Sequence, residues 1–247
     1  MRIRVWSAIA VGLLVVAASG FTPADATGKN AGATLGINWA GYAVDASKTK
    51  NVTAVSTEFI VPTVQMATPG YVAEWAGIGG FTSNDLIQAG TGQEYIPGIG
   101  LRYFAWWETL PDFETEIPGK TVKPGDHMTV AITNTSGHAW TIHMADTTQG
   151  WTFDKSLNYT STNSSAEWIV EAPQLGPGVQ TVPPLMGPAV FDGLANTVTI
   201  GGATKLIGNA DPIQLIVDDA TLAPSAIDSD GDGFSVCEYS LTCSPPS

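Results

Sequence analysis

The sequence predicts an all-β domain, an antiparallel sandwich or barrel, on three observations. Helical periodicity is nearly absent along the 247 residues. Short segments rich in β-branched and aromatic residues recur instead, and turn residues separate them, with Gly (27) and Pro (16) plentiful. The expected strands, in order, are Ala54–Val61 (AVSTEFIV), Tyr71–Gly77 (YVAEWAG), Leu101–Trp107 (LRYFAWW), His127–Thr133 (HMTVAIT) and Thr141–Ala145 (TIHMA). Glu167–Val170 (EWIV), Thr197–Gly201 (TVTIG), Ile213–Val217 (IQLIV) and Phe234–Cys237 (FSVC) follow. Pro124-Gly125-Asp126, Ser136-Gly137 and Gly201-Gly202 are turn signals between them. Residues Pro173–Pro188, rich in Pro and Gly, read as a long surface loop. No internal repeat, linker or second domain is visible.

The N-terminus reads differently. Arg2 and Arg4 form a basic start, Ala8–Ala18 a short apolar stretch, and Ala24-Asp25-Ala26 a small-x-small cleavage site. That is the pattern of a secretory signal peptide over residues 1–26. The expected product is an exported, secreted single domain over 27–247 that begins near Thr27, has a C-terminal tail over 238–247 and is monomeric. No later segment is long and apolar enough to suggest a membrane span.

The formal charge of −13 makes nucleic acid and anionic membranes poor partners. Only 13% of residues are charged, against about 25% in an average protein. Few basic residues mean few salt bridges to lose on acidification and little positive charge to drive unfolding. The composition suits an acidic medium.

Glu167 and Glu171 are unusual inside a segment that otherwise reads as a strand, because glutamate is depleted in strands. Period-2 alternation puts both on one face with Ile169, while Trp168 and Val170 point the other way. The plain alternative is a solvated strand face. The pair cannot easily serve as a glycosidase dyad. Their separation on a strand is about 13 Å, whereas glycosidase carboxyls stand about 5–9.5 Å apart.

Familiar catalytic signatures, GxSxG, HExxH and GxxxxGK[ST], are missing. His127, His138 and His143 sit in no triad context. No metal or cofactor is expected. Asp228-Ser229-Asp230-Gly231-Asp232-Gly233 has the first half of an EF-hand loop, but Tyr239 stands where the bidentate Glu is required, so a polar turn is the favoured reading. Cys237 and Cys243 are close in sequence, and in an exported chain a local disulfide is the default.

Six segments, in order, carry a resemblance to the glutamic peptidase (eqolisin) family. Asn38-Trp39-Ala40-Gly41 resembles its NWAG, Glu58–Val64 its EFTVPSV-like strand, and Trp75–Gly80 its WVGIDG. Leu86–Gly90 resembles ILQTG, Tyr103–Glu108 with Pro111-Asp112 resembles YDAWYEWYPD, and Ala166–Glu171 matches AEWIVE. The resemblance implies a sandwich of two large antiparallel sheets, concanavalin-like. It also implies an acid endopeptidase acting on polypeptides, with a Gln/Glu dyad at Gln88 and Glu167. Trp39 and Trp106 would shape the substrate cleft, and Glu108 and Glu171 would support the dyad. The chain departs from the family pattern at Gly79 and Gly92, where acids are expected. The rival function is a secreted, lectin-like binding sandwich, or a family member without activity.

Overall fold

The computed structural model describes residues 34–36, 38–176, 179–217, 221–240 and 242–247; the expected signal peptide lies outside them. Among the described residues, two large sheets face each other. The eight-stranded sheet runs, edge to edge, β1 (Thr34–Gly36), β17 (Ile213–Val217), β2 (Trp39–Asp45), β11 (Ser165–Glu171), β4 (Gly70–Gly79), β5 (Leu86–Ile96), β6 (Gly100–Thr109) and β7 (Thr115–Glu116). The nine-stranded sheet runs β10 (Trp151–Asn158), β9 (Ala139–Asp146), β8 (His127–Ser136), β3 (Val52–Ile60), β14 (Ala189–Phe191), β19 (Phe234–Glu238) and β18 (Leu222–Pro224). β15 (Thr197–Ile200) also joins β3 and carries β16 (Ala203–Leu206). All pairings are antiparallel except β1 with β17.

The expected all-β sandwich is present. The Pro173–Pro188 stretch is more ordered than a plain surface loop. It holds a small ribbon, β12 (Gln174–Gly176) with β13 (Val179–Gln180), and it buries Met186, which bridges to Val64.

The main core lies between the sheets. Trp168, Ala76, Ile87 and Ala105 from the eight-stranded sheet meet Val55, Phe59, Val130 and Ile142 from the other. Trp168 Nε1 reaches across to the Ser56 carbonyl at 2.9 Å. Because strand side chains alternate, this fixes the opposite residues on the outer face of the eight-stranded sheet. There a second apolar cluster forms from Trp39, Ala43, Ala73, Trp75, Phe81, Leu86, Trp106, Leu110, Ile169 and Leu215. The central strands are therefore buried on both faces: β11 is buried along its whole length.

Candidate active site

The register of the eight-stranded sheet sets out the site. Glu167 on β11 is opposite Gly77 on β4, Gly77 is opposite Gln88 on β5, and Gln88 is opposite Glu108 on β6. Directly opposed residues share a face, so three polar side chains stand in one row with a glycine between the first two. Glu167 and Gln88 are two strands apart, about 10 Å between backbones. With no side chain at Gly77, the two can extend toward each other. A Cβ there would lie 2.9 Å from both Leu86 Cδ1 and Trp75 Cζ3.

The neighbouring row runs Ile169, Trp75, Gly90, Trp106. The next runs Trp39, Glu171, Ala73, Gly92, Phe104. All six residues singled out in the sequence, Gln88, Glu167, Trp39, Trp106, Glu108 and Glu171, thus share this face. Glu167 and Gln88 are fully buried, beneath an apolar cover that includes Trp39 and Trp106. A solvated acidic face is ruled out for this strand.

Each polar group has a distinct setting. Gln88 Nε2 donates to Glu108 Oε2 at 2.6 Å, which orients the amide and leaves its second N–H to point elsewhere. Glu171 is fully engaged: Asn38 Nδ2 donates to Oε1 at 2.7 Å and Trp75 Nε1 to Oε2 at 2.9 Å. Burial still pushes its pKa up to about 7, against those hydrogen bonds. Trp75 in turn packs edge-on against Trp39, with ring centroids 4.8 Å apart. Glu171 therefore anchors the indoles, and Glu108 anchors the amide; both carboxylates are occupied by protein donors.

Glu167 differs. Neither carboxylate oxygen has a partner of good hydrogen-bond geometry. Burial raises its pKa well above the usual carboxylate range. The Ser165 hydroxyl and the Phe81 backbone lie close enough to oppose this in part, and the charge of Asp85 adds to the rise. Gln88 Oε1 and Trp106 Nε1 are also buried without partners. Buried polar groups are paired in nearly all proteins, so several orphans on one face mark a place where a ligand completes the bonding. The set can bind a water and a polarised carbonyl.

The two departures from the family pattern have structural counterparts. Gly79 has φ +89°, and a Cβ there would lie 3.1 Å from Asp85 Oδ2. A carboxylate from the residue just before β5 thus stands beside the position of the missing aspartate. Thr162 N (2.7 Å) and the Ser161 hydroxyl (2.9 Å) donate to Asp85. Burial alone would raise its pKa, but these bonds outweigh burial and lower it. At Gly92 the Phe104 ring occupies the side-chain space, 2.5 Å from an ideal Cβ. Glu94, the nearby acid, pairs instead with Arg102, which also binds Glu116.

Sequence reasoning missed Gly77, Phe81 and Asp85. Gly77 lay inside a recognised strand, and its spacing role appears only with the register. Phe81 and Asp85 lie in the connection between β4 and β5, which Thr82 and Ser83 tie to Ser164.

Comparison with known proteins agrees with this fold. The sequence profile described as the Peptidase A4 family matches residues 37–236. Scytalidopepsin B of Scytalidium lignicola is 29% identical over 143 residues, 56% of this chain and 53% of that protein. The chain thus matches about half the length of that relative. Among solved structures, scytalido-glutamic peptidase bound to a transition state analog inhibitor superposes with a TM-score of 0.66 at 22% identity, covering 82% of this chain and 98% of that one. Aspergilloglutamic peptidase from Aspergillus niger gives 0.55 at 23% identity, covering 68% and 99%.

Proposed function

The chain belongs to the Peptidase A4 family, and on that premise we propose that it is an exported endopeptidase that hydrolyses extended polypeptides in acid. Glu167 and Gln88 form its catalytic pair. The observation that carries the reading is the set of buried, unpartnered polar atoms on one sheet face: both Glu167 oxygens, Gln88 Oε1 and Trp106 Nε1.

Ionised Glu167 takes a proton from a bound water, whose oxygen attacks the scissile carbonyl carbon. The carbonyl oxygen becomes the oxyanion and accepts the free N–H of the Gln88 amide, whose other N–H is held by Glu108. Glu167, now protonated, delivers the proton to the leaving nitrogen as the C–N bond breaks. Burial favours the neutral form of Glu167, which suits this second step. It also makes the ionised form a stronger base than a surface glutamate, although less populated in acid. Trp39 and Trp106 supply apolar contact to the substrate. Since the pair is covered in the free protein, substrate entry has to part this aromatic rim.

Export rests on the basic, apolar and small-x-small segments of residues 1–26. Among the described residues no helix is long and apolar enough to cross a membrane.

The test is cleavage of a denatured protein by the purified mature chain across the acid-to-neutral range, beside Glu167→Gln. The expected result is acid-range cleavage, reduced by orders of magnitude in a variant whose circular dichroism is unchanged. A folded wild type that cuts at no pH would overturn the reading and favour a binding sandwich.

A further inference from the structure

A second concentration of acids lies at the nine-stranded sheet, whereas Glu167 and Gln88 lie on the eight-stranded one. β14 ends at Phe191 and β19 begins at Phe234, and these two residues are paired in register, their rings stacked at 4.7 Å and 5° between planes. Asp192 follows one strand end and Gly233 precedes the other. The loop Asp228–Gly233 is therefore delivered against Asp192. Carboxylate oxygens of Asp192, Asp228 and Asp232 all lie within 4.8 Å of one another.

The loop is tightly built. Asp228 N donates to the Gly233 carbonyl at 2.9 Å. Asp228 Oδ1 accepts from Gly231 N at 3.0 Å and Asp232 N at 3.1 Å. Gly231 takes φ +85°, a conformation suited to glycine. Buried Asn196 donates to the Asp232 carbonyl at 2.7 Å, which ties the loop to β3 through Thr57. Asp232 itself is only 5% exposed, and its buried Oδ1 has no hydrogen-bond partner. No ion pair found among the described residues includes any of these acids.

An unpartnered, buried carboxylate oxygen beside two further carboxylates is a costly arrangement unless a cation completes it. Oxygens that share one calcium ion, each about 2.3–2.6 Å from it, stand at most about 5 Å apart. The geometry points to a calcium site formed by Asp192, Asp228 and Asp232, with Asp230 beside them. The loop has the acids and glycine of the first half of an EF-hand, and lacks the distant carboxylate because Tyr239 occupies that position. The fold supplies the missing carboxylate from Asp192, through β14. All-oxygen ligation without His or Cys selects a hard cation. Calcium suits an all-protein site better than magnesium, which keeps most of its waters. The ion would pin the C-terminal segment to the nine-stranded sheet, beside the Cys237–Cys243 disulfide.

This inference is independent of the peptidase reading, and its test reads binding and stability. The mature chain, stripped with EDTA, is titrated with calcium chloride by calorimetry at about pH 7, above the ordinary range of an aspartate. Its thermal midpoint is then followed with and without a saturating excess. One site per chain is expected, with Kd at or below about 10⁻³ M. Tm should rise by about 5 °C when calcium is present at about 100-fold over Kd. Magnesium at the same concentration should give less than about a third of that rise. Asp192→Asn should weaken calcium binding at least about tenfold, yet match or exceed the wild-type Tm in EDTA, because one repulsive charge is gone. An Asp192 of purely structural role would instead lower that calcium-free Tm. No binding heat and no Tm rise in the wild type, an equal response to magnesium, or an undiminished calcium response in Asp192→Asn would each overturn the site. Asp232→Asn provides a second variant with the same expected loss.

Discussion

The outer faces of the two sheets follow opposite rules. On the nine-stranded sheet, β10 alternates half-buried and exposed residues along its whole length, the ordinary pattern of an antiparallel sheet with one wet side. Its acid Asp154 has a side chain 77% exposed and meets the His143 ring nitrogen at 2.7 Å. On the eight-stranded sheet, β11 has no exposed position, and its outward acids Glu167 and Glu171 are buried. Both faces carry carboxylates on strands. They differ in whether the surroundings solvate, pair or strand the charge. That difference marks the proposed catalytic face more sharply than residue type does, because burying a carboxyl without a partner is tolerated where the group has a task.

If the row of Glu167, Gly77 and Gln88 is the working unit, removing its amide should have a large effect. Gln88→Ala is expected to cut kcat by about 10²–10³-fold, the usual loss for one oxyanion donor, in a steady-state assay on a peptide substrate. Gly90→Ala should break the face structurally. The added Cβ would come within van der Waals radii of the Glu74 carbonyl and the Trp75 backbone. A loss of about 3 kcal/mol is expected in denaturant unfolding.

The buried acids also set the pH dependence of stability. Burial lifts Glu171 and Glu114 to about 7 and Glu74 to about 8, from an ordinary value of 4.5. The folded state therefore binds more protons than the unfolded state across that interval. The stabilisation is complete below about pH 4.5 and is lost as pH rises through about 7. Stability should fall from pH 4 toward 8 by on the order of 3 kcal/mol for each fully buried group, and the thermal midpoint should fall with it. Glu171→Gln should flatten the slope. Asp154→Asn on the wet face should leave stability within about 0.5 kcal/mol and cleavage unchanged.

Much of this contrast was legible in the sequence. The alternation of Glu167, Ile169 and Glu171 against Trp168 and Val170 assigned the faces correctly, since it depends only on local geometry. The sandwich followed from short strands and turn signals. Gln88 was not legible from its own residue type and needed the motif around it. Burial of the outer face was hidden, because Trp39, Phe81, Trp106 and Leu110 arrive from four separate segments. The partnership of Asp192 with Asp228 and Asp232 was hidden for the same reason: strand pairing creates it, and no spacing along the chain announces it. β10, with Asp154 and Lys155 among its residues, lacked the apolar content that marked the expected strands, and β2 and β5 were not among those strands either.

The central claim is that Glu167 and Gln88 act on one transition state across Gly77. A double-mutant cycle in kcat, using Glu167→Gln, Gln88→Ala and the combination, tests it most directly. Groups that work as a unit lose nearly everything with the first removal. The double variant should therefore be no more than about threefold slower than Glu167→Gln alone. Losses that multiply fully, or either single variant retaining the wild-type rate, would contradict it.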